Sequence, residues 1–401
     1  MTSEHKTKSY RFRRRDLLAL AGGTALATAM GLSAFAQTPA LPAEPIVLSV
    51  LDVGGVLEVA QGMFENYKAA HPEIVSDVIF VKAPAPEMAS KLQVQQNAGR
   101  LDVDLILTGT DAMAAGIEFG VFEEMLPKHA SSFPDLDARQ LPGARNLQKM
   151  AKGQGIVNVY YPGGPLLFFM PESVATPPKT ALELLEWAKA NPGKFGYARP
   201  ANSGPGRTFV MALPYLLGDS DPSDPVNGWE KTWAYLKDIN EYIEYYPSGT
   251  AQLMTEFAQG TRTLLATTTG FDINPRALGI VPKGAMISTF DNFHWISGGN
   301  FFAVPKGISE DRLAVVLDFI AFALEPKQQA VLYDTGYLYP GPSIDGVTID
   351  MAPQSSQDVI KEFGRDEYAD LIANNPIEPP LTAVNMVKMF EMWDQQIGST
   401  K

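Results

Sequence analysis

The segment Asn202-Ser203-Gly204-Pro205-Gly206-Arg207 gathers residue types that suit the capture of an anion. Its small residues let backbone amides approach a bound group. The guanidiniums of Arg199 and Arg207 match a carboxylate or phosphoryl group in bidentate fashion. A short apolar stretch, Phe195–Tyr197, precedes it, and the helical pattern Thr208–Leu217 follows. The loop therefore sits at a strand end and a helix start, where amides point outward together. It is not a nucleotide-phosphate loop, because the lysine is missing and the glycine spacing is wrong. The competing account is a Pro/Gly turn with two solvated arginines.

Other strand-end loops carry polar groups of the same kind. Asp52-Val53-Gly54-Gly55 precedes a helix, and its amides either face an anion or make a tight turn. Thr108-Gly109-Thr110-Asp111 offers hydroxyls at the next strand end, with Asp111 serving either as a contact or as a helix cap. Thr267-Thr268-Thr269-Gly270-Phe271-Asp272 runs on to Arg276. There Asp272 suits an amine and Arg276 an acid, unless the two pair with each other one helical turn apart. Tyr337 and Tyr339, before Pro340-Gly341-Pro342, are placed to close a cleft from the C-terminal side or to pack internally.

The elements that must position these loops alternate. Apolar runs at Ile46–Leu51, Ile74–Val81 and Val103–Leu107 read as strands, separated by helical periodicity over 56–67 and 84–98. Such alternation indicates a wound α/β sheet. Gly155–Tyr161, Pro165–Met170, Phe195–Tyr197, Tyr242–Tyr246, Thr263–Thr269, Ala277–Val281 and Trp295–Val304 read as further strands. Helices are expected over 180–190, 208–217, 229–239, 249–259, 313–324 and 383–397.

The first 36 residues read as an address. They hold six basic residues against Glu4 and Asp16, then a weakly apolar run from Leu17, then Ala34-Phe35-Ala36. Arg14-Arg15-Asp16-Leu17-Leu18 is similar to the twin-arginine export pattern. Gly22, Gly23, Thr24, Thr28 and Gly31 make the run too polar for a membrane anchor. The expectation is a cleaved signal peptide over 1–36, removed after Ala36, and a periplasmic product.

The chain lacks cysteine altogether. Disulfides, thiolate metal sites, a cysteine nucleophile and a lipidated cysteine anchor are thereby excluded. Net charge is −13; with six of the 32 basic and two of the 45 acidic residues in the leader, the remainder carries −17. That balance argues against nucleic acid and anionic membrane as partners. No GxSxG or HExxH motif is present, and the four histidines are scattered, which argues against a hydrolase.

Four further segments give the chain a family likeness: His71-Pro72-Glu73-Ile74, Ala98-Gly99-Arg100-Leu101-Asp102-Val103-Asp104, Trp295…Val304-Pro305-Lys306-Gly307, and Glu325-Pro326-Lys327-Gln328-Gln329-Ala330 leading to Gly336-Tyr337. In their order and spacing the chain resembles the family 1 extracellular solute-binding proteins of ABC transporters, in the branch that binds polyamines, ferric ion, thiamine, aminoethylphosphonate or 4-aminobutyrate. The likeness covers nearly the whole chain after the leader. It implies two wound α/β lobes joined by crossing strands, with a ligand clasped between them. The expected division is 37–158 with 266–325 in one lobe, and 159–265 with 326–401 in the other. Within that branch His294-Trp295-Ile296-Ser297 is similar to the polyamine Trp-x-Asp segment, where an indole face holds a cation. Ser297 stands where the acid belongs, and Trp295 is otherwise a core residue. Ferric relatives use neighbouring tyrosines, as at Tyr160-Tyr161 and Tyr245-Tyr246, but adjacent strand residues face opposite ways.

The expectation is a monomeric, non-enzymatic binder with no cofactor and no metal, serving membrane permease subunits of an importer. Its ligand is a small polar solute bearing an acid, zwitterionic in one version; a polyamine, ferric ion or an exported hydrolase are the alternatives. The residues expected at the ligand are Asp52, Gly54, Thr108, Thr110, Asn202, Ser203, Gly204, Arg207, Thr268, Asp272, Trp295 and Tyr337.

Overall fold

A computed structural model describes residues 39–401. The export and cleavage readings concern residues outside that range. Eleven strands occur among the described residues: β1 Ile46–Val53, β2 Val75–Ala83, β3 Leu105–Gly109, β4 Gly155–Gly164, β5 Leu166–Phe169, β6 Phe195–Gly196, β7 Leu264–Thr267, β8 Met286–Ser288, β9 Trp295–Ala303, β10 Gly341–Pro342 and β11 Ile377–Glu378. They form two sheets. The larger runs β10-β4-β9-β3-β1-β2, with β11 added beside β9, and the smaller runs β6-β7-β5-β8.

In the larger sheet β1 pairs in parallel with β2 and β3, as helical crossovers between them require. The first crossover helix, Leu57–Ala70, buries Val59, Ala60, Met63, Phe64 and Tyr67 at helical spacing. Phe64 stacks on Phe319 at 4.3 Å, and the Tyr67 hydroxyl donates to Asp318 at 2.6 Å. These contacts lock the helix to the later Glu310–Ala323 helix on the same sheet face.

Polarity changes at β9, which runs antiparallel to both β3 and β4. Every residue of β4 and β9 is buried, the composition expected of strands covered on both faces. Only Pro165 separates β4 from β5, and a short loop separates β8 from β9. The chain thus passes from one sheet to the other along β4/β5 and back along β8/β9. The second sheet is mixed, with one parallel pair, β6/β7, and antiparallel pairs elsewhere.

Three sequence expectations change. Within 266–325, expected in the first lobe, β8 pairs with β5 of the second sheet, so the return crossing falls between Ser288 and Trp295. Tyr242–Tyr246 is not a strand. Its carbonyls are taken singly, that of Tyr242 by the Gly193 amide and that of Tyr245 by the buried Arg262 guanidinium at 2.9 Å, with no ladder formed to the β6 edge it passes. Ala277–Val281 closes a helical turn instead, with the amides of Ile280 and Val281 both on the Pro275 carbonyl and Gly279 at φ +68°. No helix of the described residues is long and apolar enough to cross a membrane.

Candidate functional site

A cleft of about 530 Å³ opens where strand ends and loops of the two sheets meet. That volume suits a small molecule. Gly54 and Gly55 enter it from the end of β1, and Gly109 and Asp111 from the end of β3. Tyr161 and Asn300 reach it from the crossing strands β4 and β9, while Asn202, Gly204 and Arg207 belong to the anion-type loop and its helix, Gly204–Leu217.

That helix begins at Gly204, four residues ahead of the Thr208 expected from the helical pattern. Ser203 is its cap, its hydroxyl accepting from the Gly206 amide at 3.1 Å and sharing a hydrogen bond with Thr250 at 2.8 Å. Pro205 occupies the first turn, where no amide hydrogen is needed. A Cβ at Gly206 would lie 2.1 Å from the Ala198 carbonyl, so the loop can fold this tightly only with glycine there. Arg207 is then held one turn into the helix, 8 % exposed, with Nη1 donating to the Pro200 carbonyl at 3.2 Å.

Arg207 also pairs with Asp111, Nη1 to Oδ2 at 3.2 Å. Asp111 follows β3 of the first sheet, and Arg207 lies ahead of β7 of the second, so the ion pair spans the cleft. The Asp111 carboxylate does not cap its own helix, whose N-cap residue is Gly109 with no side-chain cap. Burial raises the Tyr161 hydroxyl pKa against the partial opposing pull of Arg207. Across the cleft the Tyr337 ring packs on Phe271 at 4.9 Å, and burial, with the Glu58 carboxylate next in weight, keeps its hydroxyl protonated.

Of the residues expected at the ligand, Gly54, Asn202, Gly204, Arg207 and Tyr337 line the cleft. Ser203 lies beneath it as the cap. Asp52 is buried and turned back, accepting from the Leu57 amide at 3.0 Å at the start of the first helix. Thr108 and Thr110 are buried beside Gly109, the Thr108 hydroxyl donating to the Gly109 carbonyl at 3.2 Å. Thr268 is buried and its hydroxyl has no partner in the protein, while the Thr269 hydroxyl donates to the Pro162 carbonyl of the crossing strand at 2.8 Å.

Asp272 and Trp295 require correction. Asp272 is fully buried, accepting from the Tyr368 hydroxyl at 2.5 Å and from Arg365 Nε at 2.8 Å, with Arg276 Nη2 at 3.7 Å. Its charge is answered inside the protein, and Arg276 is spent on the same network. Trp295 is core, its indole Nε1 donating to the Leu371 carbonyl at 3.0 Å and its ring meeting Phe293 at 4.6 Å. Trp295→Phe should therefore cost about 1 kcal/mol of stability for the lost hydrogen bond and leave ligand affinity unchanged, read by chemical unfolding and by titration. Arg199 also turns away, to Asp394 at 3.0 Å and the face of Trp393.

Sequence reasoning left Asn300, Glu87 and Ser248 out of the site. Asn300 carried a signal: with Ser297 it is one of two polar residues in a strand otherwise glycine-rich and apolar. Of the Tyr160–Tyr161 pair only Tyr161 lines the cleft, and Tyr160 packs into the core.

The chain belongs to the bacterial extracellular solute-binding protein family, whose model matches residues 62–359. No curated protein sequence matches it. Among solved structures it is similar to the Atu4243-GABA receptor, with 16% identity, a TM-score of 0.60, and coverage of 88% of this chain and 96% of that one. Iron-bound HitA from Pseudomonas aeruginosa gives 16% identity and 0.62, covering 88% and 100%. MotA of A. tumefaciens B6, in complex with glucopine, gives 14% and 0.60, covering 88% and 99%. At these identities the likeness establishes the two-lobed fold.

Proposed function

We propose that the chain is the periplasmic, solute-capturing subunit of an ABC importer, and that its solute is a small polar organic molecule bearing an acid. One observation carries the reading: a nearly buried guanidinium, Arg207, faces the cleft one turn into a helix whose first residue, Gly204, lines the same cleft. A carboxylate placed there meets hydrogen bonds and positive potential together. Gly54 and Gly55 at the end of β1, and Asp111 after β3, line the same cleft from the first sheet.

Such an acid would join groups on both lobes. We place the hinge where β4 passes into β5 and β8 into β9. A solute stabilises the closed arrangement only by its greater affinity for it, and that arrangement is the signal for the membrane permease. Neighbours of this fold include proteins named for GABA, iron and glucopine. The polyamine reading loses its main support, since Trp295 is core and Ser297, where the acid belongs, is buried.

The test is a thermal-shift screen of the full chain against mono- and dicarboxylates, amino acids, phosphonates, diamines and ferric salts. Acid-bearing solutes should stabilise by about 2.7 kcal/mol at a hundredfold excess over Kd. Stabilisation by diamines or ferric ion alone would sink the proposal.

A further inference from the structure

We propose that Phe271 and Tyr337 form an aromatic wall that reads a flat apolar ring on the solute, an inference that rests on Arg207 holding the acid. Both side chains line the cleft, and both are only partly buried. Their rings meet at 4.9 Å with 54° between the planes, a tilted contact that leaves ring surface facing the cleft. Apolar surface facing water in this way favours a partner that covers it, and a second ring does so with good geometry.

The backbone is built to bring the two rings together. Phe271 follows β7 of the smaller sheet, and Tyr337 comes much later, just ahead of β10. Gly270, at φ +90°, lies so close to the later segment that a Cβ would stand 2.3 Å from the Tyr337 carbonyl. At Gly336, φ +75°, a Cβ would stand 2.5 Å from Ile273 Cγ2. Each loop thus needs a glycine beside its aromatic residue, for the left-handed backbone and for the close approach alike. Asn274 ties the same two loops together, Nδ2 donating to Thr335 Oγ1 at 2.7 Å, and Asp272 is held by Arg365 and Tyr368. The wall is therefore preorganised, and a ring laid on it has little left to order.

The surroundings favour a ring over a polyol. A Cβ at Gly55 would lie 3.9 Å from the Tyr337 hydroxyl, which puts the aromatic pair at the end of β1. Val53, Val56 and Leu338, next to that contact in the chain, also line the cleft, and their side chains offer no hydrogen bond. A sugar face there would leave its hydroxyls unmet. Asp111, the partner of Arg207, follows β3, the strand paired with β1. The acid site and the wall thus stand over neighbouring strands, whose axes are about 5 Å apart. One small molecule bridges that spacing with its acid on the ring or one or two carbons from it. The ligand class is a small aryl carboxylate.

Titration calorimetry on the full chain tests this with benzoate, phenylacetate and 3-phenylpropanoate. The comparison acids are hexanoate, which is apolar without a ring, and gluconate, which is polar throughout. Covering roughly 100 Å² of ring corresponds to about a hundredfold in affinity, and the tightest aryl acid should exceed gluconate by that order. It should exceed hexanoate by roughly two- to tenfold. Tyr337→Ala should cut the preference over gluconate by about tenfold, and Tyr337→Phe, which keeps the ring, should preserve it. Should the alanine variant not fold, Phe271→Leu should remove the preference over hexanoate, since it keeps apolar bulk and loses the ring face. Gluconate or hexanoate binding as tightly as the aryl acids, with all of them lost in Arg207→Ala, would overturn the aromatic wall and leave the acid reading standing. Equal weakening of aryl acids and gluconate by Tyr337→Ala would reduce the pair to a structural role and also overturn it. Binding indifferent to Arg207→Ala, or no binding by any acid of the panel, would overturn the acid reading and this inference with it.

Discussion

Arg207→Ala should abolish capture of an acid-bearing solute while Arg199→Ala leaves it intact. Both arginines flank the same loop, but only Arg207 lines the cleft; Arg199 is engaged by Asp394 and the Trp393 ring. Removing a nearly buried, hydrogen-bonded charge from a binding site costs about 2–5 kcal/mol, or upwards of about thirtyfold in Kd. Arg207→Lys keeps the charge but loses the planar fork, so it should fall between the two. The alanine variant also leaves Asp111 without its partner across the cleft, and Asp111→Ala in the same chain should restore part of the stability without restoring binding. Titration of the three single variants beside the parent gives the order directly. An Arg199→Ala variant as impaired as Arg207→Ala would place the acid elsewhere.

Asp272→Ala should unfold the protein more readily with no ligand in the experiment. The carboxylate is fully buried and balances Arg365 and Arg276 while accepting from Tyr368. Its loss leaves two guanidiniums in a low-dielectric interior without their counter-charge, a change worth about 3–5 kcal/mol. The measurement is the urea midpoint of the unliganded chain, with Asp272→Asn as a shape-preserving companion that still strands the positive charges. Phe271, next in sequence, packs on Tyr337 in the cleft, and a Cβ at Gly270 would strike the Tyr337 carbonyl at 2.3 Å. Affinity should therefore drop as a secondary effect. An unchanged midpoint with lost binding would show that Asp272 meets the solute after all.

These two residues mark how far the sequence carries. The strands of the first sheet were legible because β1 and β3 are short apolar runs separated by helical periodicity, and that alternation has one common solution. The loop around Ser203 was legible because its cap, proline and glycines each have a local reason to be there. Tyr242–Tyr246 was misread because strand-like composition cannot reveal that Arg262 claims one of its carbonyls from 17 residues away. Arg365, in the loop between the helices Gln354–Phe363 and Glu367–Asn374, and Tyr368, on the second of them, are the partners of Asp272, and no local pattern links them to a loop some 93 positions earlier. A buried charge and a ligand-binding charge look alike in sequence; only the tertiary partner separates them. Asn300 is the reverse case, a residue in a core-like strand whose unmet oxygen becomes visible once both neighbouring strands are in place.

The most direct test is a crystal structure of the chain with the tightest acid-bearing solute from the screen. The account predicts its carboxylate at hydrogen-bonding distance, about 3 Å, from the Arg207 guanidinium, enclosed between the Gly204 loop and the end of β1. A solute whose acid lies away from Arg207, or one seated outside this cleft, would contradict it.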